Sequence, residues 1–168
     1  GGKIGVYTGI LNVTENQDQL AAIMGHEVGH VLEKHSNERL SANKISDVGL
    51  AVAGIVLGAS EVDNKEFWMA GLGIGVQYGA IMPYSRAHES EADIVGQDLM
   101  ARSGFAPEAS VQLWKNMAKL SKSSPPEIMS THPSNNTRIK KLSSDMVEAN
   151  SLFQQAKAKG LNPQCNKP

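Results

Sequence analysis

The sequence has one cysteine, few aromatic residues and no excess of either charge. Cys165 lies in a polar tail, so the chain forms no internal disulfide and no zinc site built from several thiolates. The 16 Lys and Arg residues nearly balance the 17 Asp and Glu residues, which gives a net charge of −1. Because a nucleic-acid-binding surface needs concentrated positive charge, this composition argues against a nucleic-acid partner.

The sequence also lacks an uninterrupted apolar run of the roughly 20 residues that cross a membrane. Two shorter apolar stretches, residues 48–60 and 67–84, are rich in glycine and alanine and are separated by charged residues. We expect both to form closely packed helices that are buried or lie at an interface. The alternative is a pair of helices that cross a membrane. Helices within residues 41–81 are therefore a candidate surface for contact with a membrane or an envelope protein.

The length of 168 residues, with 40% hydrophobic side chains, predicts one domain over residues 1–168 with its own core. The chain opens on Gly1 and Gly2 without an initiator methionine, so we expect a fragment or a processed product of a longer protein.

The pattern along the chain predicts a mostly helical α+β fold with one short strand over residues 3–8. A lone strand needs a partner, which we expect in sequence upstream of this chain. Thr14 and Gln17 fit a capping box at the start of a helix that reaches about Glu38. Further helices are predicted over residues 41–60, 65–81, 83–104, 107–120 and 135–159, with a loop over residues 121–130.

The first long helix contains a His-Glu-x-x-His pattern within residues 22–32. His26 and His30 are just over one turn apart, so both rings lie on one face, about 6 Å apart along the axis. Two imidazoles in this arrangement can bind one tetrahedral zinc ion, and Glu27 beside them is suited to act as a general base. Eight of the eleven residues in this segment are apolar or glycine, which favours a buried site. The alternative is a core helix with two structural histidines.

A catalytic zinc takes three protein ligands and keeps one position open. Glu89 and Asp93 are four residues apart in the acidic stretch 85–93 and share one helical face. Glu89 is the better candidate ligand, because Glu91 points roughly 200° away from it. Asp93 can then accept a hydrogen bond from a ligating histidine. The alternative for this stretch is a solvated acidic helix, and we expect His35 and His88 at the surface.

Four segments together carry a resemblance to a known family: Gly-Gly-Lys-Ile-x-Val-Tyr-Thr-Gly at residues 1–9, His-Glu-Val-Gly-His at 26–30, Ser-Arg-x-x-Glu-x-Glu-Ala-Asp at 85–93, and Thr-His-Pro at 131–133. With a downstream arginine, they resemble the gluzincin zinc metallopeptidases of the HtpX and CAAX prenyl protease type, most of all the bacterial periplasmic BepA-like and LoiP-like members. The resemblance implies a zincin-like helical bundle around the HExxH helix with a remnant of a small β-sheet. In the family a helix and two more strands precede this region, and we expect them to be missing from this fragment.

The resemblance also implies one zinc ion per chain, held by His26, His30 and Glu89, with Glu27 as the general base. Asp93 would not bind the metal itself and would accept a hydrogen bond from one of the ligands.

It further implies that His132 and Arg138 approach the metal centre, where either can stabilise an oxyanion. A second hypothesis for His132 is that it occupies the open fourth zinc position and keeps the enzyme latent. A third is a turn-forming histidine without metal contact.

The activity implied by the resemblance is zinc-dependent endopeptidase cleavage of unfolded or misassembled envelope proteins, as quality control in the periplasm or at the outer membrane. Two alternatives stay open. One is a zinc-stabilised latent or chaperone-like binding module with little turnover. The other is a hydrolase that acts on a bond other than a peptide bond.

Overall fold

A computed structural model describes residues 4–6, 8–120, 132 and 136–165. The helices are α1 (Thr8–Val13), α2 (Gln17–Leu32), α3 (His35–Ala59), α4 (Lys65–Val76), a π-helical turn (Gln77–Ile81), α5 (Met82–Arg102), α6 (Glu108–Leu120) and α7 (Asn136–Ala158). The prediction of a mostly helical fold is confirmed. The loop predicted over residues 121–130 lies outside the described residues.

The strand predicted over residues 3–8 is not observed in the described part of that segment. Residues 4–6 have no regular structure, and α1 begins at Thr8. The backbone N–H and C=O groups of a strand need a neighbouring strand as partner. No strand forms elsewhere among the residues that the structure describes, so these three residues have nothing to pair with.

Helix α2 begins two residues later than the Thr14 cap predicts. The Asn16 side chain accepts a hydrogen bond from the Gln19 N–H at 2.9 Å, and the Gln19 side chain accepts one from the Glu15 N–H at 3.0 Å. Asn16 is therefore the N-cap, with a reciprocal bond of the capping-box type beside it.

Residues with positive φ angles lie between helices, and two of them bear on the predicted helix ends. Lys34 (φ 58°) ends α2 at Leu32, short of the predicted end near Glu38, because a left-handed residue cannot continue a right-handed helix. Gly104 (φ 86°) follows α5 and confirms the predicted stop. A new helix was predicted to start at Pro83. The structure has no break there, because the π-helical turn continues directly into α5 and only the type of helix changes.

The chain forms two compact units, one from Gly1–Leu32 with Glu89–Pro168 and one from Glu33–His88. The first unit holds the hydrophobic core, to which α2, α5, α6 and α7 contribute. Its fully or almost fully buried large side chains are Ile23, Met100, Leu113, Trp114, Met117 and Leu142.

The second unit contains α3, α4, the π-helical turn and the start of α5. His35 and His88 are buried there, contrary to the expectation that both lie at the surface, because their rings stack on each other at 4.1 Å. Tyr84 donates to Glu38 Oε2 at 2.8 Å, and His88 Nε2 lies 3.0 Å from the same oxygen.

Candidate metal centre

Three glycines let α2 and α5 cross at backbone contact. A Cβ on Gly25 would lie 2.6 Å from the carbonyl oxygen of Gly96, and a Cβ on Gly29 would lie 2.8 Å from that of Ala92. A Cβ on Gly96 would lie 2.6 Å from the backbone nitrogen of His26. Any larger residue would force the helices apart, since close-packed interiors have no room to give. The crossing brings the histidine face of α2 against the acidic stretch of α5.

Four side chains converge at this crossing: His26 and His30 from α2, Glu89 from α5, and His132. One donor atom from each lies within 4.8 Å of the others. His26 Nε2 is 3.1 Å from His30 Nε2 and 3.2 Å from His132 Nδ1. The Glu89 oxygens lie 2.9 and 3.1 Å from His132 Nδ1, and 3.4 Å from the Nε2 atoms of His26 and His30.

These separations fit a tetrahedral metal site. Donors that lie about 2.0–2.1 Å from a zinc ion in tetrahedral geometry are about 3.4 Å from one another. A neutral imidazole has one donor and one acceptor nitrogen, so ring nitrogens that all face one point cannot satisfy each other fully by hydrogen bonds. Three imidazoles and a carboxylate are ligands that zinc accepts, and the residues present therefore fit the ion.

Asp93 and Arg138 contact these donors on the side away from the point where the donors converge. Asp93 Oδ1 lies 3.0 Å from His26 Nδ1, so a proton on Nδ1 leaves the Nε2 lone pair facing the other donors. Arg138 donates to both Asp93 oxygens, at 2.6 and 2.7 Å, and its Nη1 is 3.1 Å from Glu89 Oε2. The guanidinium lies 3.7 Å over the Trp114 ring, and Arg138 is fully buried.

The surroundings of the site hold its two carboxyl groups, Glu89 and Asp93, in the ionised state that a cation requires. Burial by itself raises the pKa of Glu89, but hydrogen bonds from the three histidines outweigh burial and hold the pKa of this carboxyl well below its usual range. Burial likewise raises the pKa of Asp93, but Arg138 and His26 together outweigh burial and lower that pKa. Burial lowers the pKa of His30, whereas the carboxylates beside His26 outweigh burial and raise its pKa. Both carboxylates are thus ionised at neutral pH.

Glu27 lies beside the converging donors and is not one of them. Its side chain is 41% exposed, and Glu27 Oε1 is 3.4 Å from His132 Nε2. A carboxylate that borders the site and still meets solvent is placed to exchange a proton with a water molecule there.

The structure brings together all seven residues selected from the sequence: Glu27, His26, His30, Glu89, Asp93, His132 and Arg138. Glu91 is exposed, on the opposite side of α5. The Trp114 ring, which lies 3.7 Å from the Arg138 guanidinium, has a role at the site that was not predicted from the sequence. The contact of Gly25 with Gly96 was not predicted from the sequence. The glycine directly before His26 was the one sign that another helix could approach there.

A family model described as Peptidase family M48 matches residues 1–146. The mitochondrial metalloendopeptidase OMA1 of Saccharomyces cerevisiae is 32% identical over 162 residues, which cover 93% of this chain and 44% of that protein. OMA1 of Schizosaccharomyces pombe is 35% identical over 152 residues, covering 89% and 42%. The beta-barrel assembly-enhancing protease of Yersinia pestis is 29% identical over 145 residues, covering 83% and 29%. The chain thus spans less than half the length of these relatives. No solved structure matches significantly.

These matches confirm the resemblance that the sequence motifs carry and the class of metallopeptidase that it implies. They contradict the expected periplasmic or outer-membrane location, because the relatives from two yeasts and Arabidopsis thaliana are named as mitochondrial enzymes. Bacterial and mitochondrial relatives are both similar over most of the chain.

Proposed function

The chain belongs to Peptidase family M48, and we propose on this basis that it cleaves peptide bonds in proteins as a zinc-dependent endopeptidase. The observation that carries the proposal is the convergence of His26, His30 and Glu89 on one point, with Glu27 beside them and open to solvent.

His26, His30 and Glu89 would hold the zinc ion. When bound, zinc polarises the scissile carbonyl and lowers the pKa of water in the site. The Glu27 carboxylate would accept a proton from the attacking water and return it to the leaving nitrogen of the substrate. Its exposure supports this role, since a base that was sealed away could not reach the water.

Asp93 and Arg138 would act as positioning residues. Asp93 accepts from His26 Nδ1, which fixes the tautomer in which Nε2 is free to bind the metal. The contacts of Arg138 favour positioning over direct contact with an oxyanion, because the guanidinium is fully buried and donates to Asp93 and Glu89.

For His132 the contacts favour the latency hypothesis. His132 Nδ1 lies among the donors, 3.2 Å from His26 Nε2 and 2.9 Å from Glu89 Oε2. A site with four protein ligands is closed and is of the structural type, whereas a catalytic site keeps one position open. His132 would therefore have to leave this position before a substrate is cleaved.

Unfolded or misassembled proteins are the substrate class that we propose. The beta-barrel assembly-enhancing protease of Yersinia pestis is named for a role in protein assembly, which supports a quality-control substrate for this chain as well.

A second candidate function is a zinc-stabilised binding module with little turnover. The observation that favours it is the same fourth donor, His132, which would close the site against substrate. The two functions differ in one measurable property, since only the first requires that the protein with zinc bound cleaves peptide bonds.

Metal binding and cleavage can be tested with a matched pair of variants. Glu89→Gln should lower zinc content, measured by elemental analysis, and should abolish casein cleavage. Glu91→Gln removes a carboxylate two residues away on an exposed position and should leave both unchanged. Circular dichroism would check that each variant folds. Protein purified without chelator that holds no zinc, or a greater loss of zinc with Glu91→Gln, would overturn the assignment.

A further inference from the structure

A polar cavity of about 290 Å³ lies within the second unit, lined by α3, the π-helical turn and the start of α5. None of its lining residues belongs to the metal centre. The polar ones are Arg39, Asn43, Gln77, Tyr84, Ser85 and His88, and the apolar ones are Ala42, Ile81 and Met82. Polar groups that converge beside a small apolar wall are typical of a binding site.

Helix geometry explains why these side chains meet. Arg39 and Asn43 are four residues apart on α3 and therefore share one face. Gln77 opens the π-helical turn, Ser85 follows that turn, and both line the cavity. The turn closes i→i+5 hydrogen bonds, so it changes which residues before and after it share a face. Single π-helical turns are rare and occur frequently at functional sites.

The charge of the cavity favours an anion. Among the described residues that line it, Arg39 has the one permanent charge and none is Asp or Glu. Glu38, beside Arg39 in the sequence, accepts a hydrogen bond from Tyr84 at 2.8 Å and lies 3.0 Å from His88 Nε2. The Arg39 side chain forms no ion pair or hydrogen bond with another described residue. Its guanidinium is thus available to a carboxylate or a phosphate, the two groups that its forked donors match.

The two carboxamides of the cavity favour a peptide over a phosphate. Asn43 and Gln77 each offer a donor and an acceptor, which is also what a peptide bond offers. Gln17 pairs with extended backbone in this way elsewhere in the chain, since it donates to the Pro163 carbonyl at 2.9 Å and accepts from the Cys165 N–H at 2.7 Å. An ionised phosphate has acceptors only and gives the carboxamide oxygens no donor.

The apolar wall and the size of the cavity restrict the ligand further. Ala42, Ile81 and Met82 are half-buried and offer contact to a small or medium apolar side chain. A volume of about 290 Å³ is below the roughly 300–1,000 Å³ of pockets that enclose a whole drug-sized ligand. The cavity therefore fits the end of a chain better than a complete cofactor.

We propose that this cavity binds the C-terminal carboxylate of a polypeptide whose last side chain is apolar. Arg39 pairs with the carboxylate, Asn43 and Gln77 form hydrogen bonds with the last peptide bond, and the side chain lies against Ile81. Capture of a C-terminal carboxylate is a recurring mode of peptide recognition. The proposal goes beyond the peptidase function and does not depend on it, because it concerns binding by residues outside the metal centre.

A pair of labelled peptides tests recognition of the carboxylate. A short fluorescein-labelled peptide that ends in Ala-Leu with a free carboxylate should bind, as measured by fluorescence anisotropy. The same peptide with a C-terminal amide should bind at least ~10-fold more weakly, because the charge-assisted hydrogen bonds are lost. A peptide that ends in Asp should also bind more weakly. Mass spectrometry would check that the peptides stay intact.

A pair of variants tests the position of the site. Arg39→Gln should weaken binding of the free-acid peptide by at least ~10-fold and should remove the difference between acid and amide. Lys44→Gln is the matched control, because Lys44 is an exposed cation of the same helix that does not line the cavity. It should bind both peptides like the wild type. Circular dichroism would check that both variants fold.

Four results would overturn the proposal. The first is wild-type protein that does not bind the free-acid peptide at any concentration. The second is equal affinity for the acid and the amide. The third is an equal effect of Arg39→Gln and Lys44→Gln. The fourth is displacement of the peptide by inorganic phosphate at lower concentration than by N-acetyl-leucine, because the cavity would then be a phosphate site. Each can be observed whether or not the protein cleaves peptide bonds.

Discussion

Arg138 holds the Asp93 carboxylate through two hydrogen bonds, of 2.6 and 2.7 Å. The same carboxylate lies 3.0 Å from Nδ1 of His26, and the guanidinium rests on the Trp114 ring. Because the Arg138 guanidinium is itself held in place and donates two parallel hydrogen bonds, it fixes the orientation of the Asp93 carboxylate. Asp93 in turn fixes the ring of His26. The orientation of the His26 ring, and with it the direction in which Nε2 faces, therefore depends on a residue of α7.

Arg138→Lys should weaken zinc binding by about 10-fold or more, in the range found when partners behind metal ligands are removed. Lysine keeps the charge but cannot donate two parallel hydrogen bonds or stack on the indole. A competition titration with a zinc indicator would measure the change. Arg102→Lys, an exposed position at the end of α5, is the control and should leave zinc affinity unchanged. Equal affinities for the two variants would contradict the positioning role.

Gly96→Ala should destabilise the fold by about 1–3 kcal/mol or more, since the added Cβ must push α2 away from α5. Gly73→Ala adds the same methyl group to α4, where it meets nothing within 4 Å, and should stabilise by up to about 1 kcal/mol. Chemical unfolding followed by circular dichroism would give both values. A harmless Gly96→Ala would show that the close helix crossing is not required.

The raised pKa values of Asp98 and Asp145 predict that the stability of the fold depends on pH. Burial raises the pKa of Asp98, and Asp145 and Glu148 raise it further; burial and Glu148 raise the pKa of Asp145. A carboxyl whose pKa is higher in the folded state stabilises the fold only while protonated, so its contribution is lost as pH rises through the folded pKa. Asp98→Asn should therefore raise the melting temperature at pH 7 and have little effect below about pH 3.9, the ordinary pKa of aspartate.

The control for this effect is Glu33→Gln, an exposed carboxyl in the turn after α2, which should change the melting temperature little at either pH. A gain for Asp98→Asn that was as large in acid as at pH 7 would mean that carboxylate repulsion is not its cause.

His132→Ala should raise basal peptide cleavage with zinc retained, because three ligands remain and the fourth position opens. Initial rates on a fluorogenic peptide, with zinc content measured on the same sample, would report both quantities. A fall in rate with zinc retained would support an oxyanion role instead. Unchanged rate and unchanged zinc affinity would exclude both hypotheses for this residue.

The candidate site was largely predictable because it depends on helical periodicity. His26 and His30 share a face four residues apart, and the same spacing joins Glu89 to Asp93, so the period alone predicts these two pairs. The places of His132 and Arg138 were expected only from the family resemblance. The contact of α2 with α5 through Gly25 is a tertiary feature that no local pattern specifies.

Other features depend on contacts that are remote in sequence. His35 and His88 are buried by stacking on each other, although each lies in a polar stretch of sequence. The apolar composition of α3 and α4 is evident from the sequence, but whether other parts of the chain cover these helices is decided only by packing. The N-cap is Asn16 and not the predicted Thr14, because several polar residues in a row can each cap a helix.

The central claim is that Glu27 acts on water at a metal that other residues hold, and Glu27→Gln tests it most directly. Zinc content and casein cleavage should be measured on the same preparations of the variant and the wild type. We expect equal zinc content and a loss of cleavage of about 10²–10⁴-fold, since the base is removed and the ligands are kept. Cleavage near the wild-type rate by zinc-loaded Glu27→Gln would contradict it.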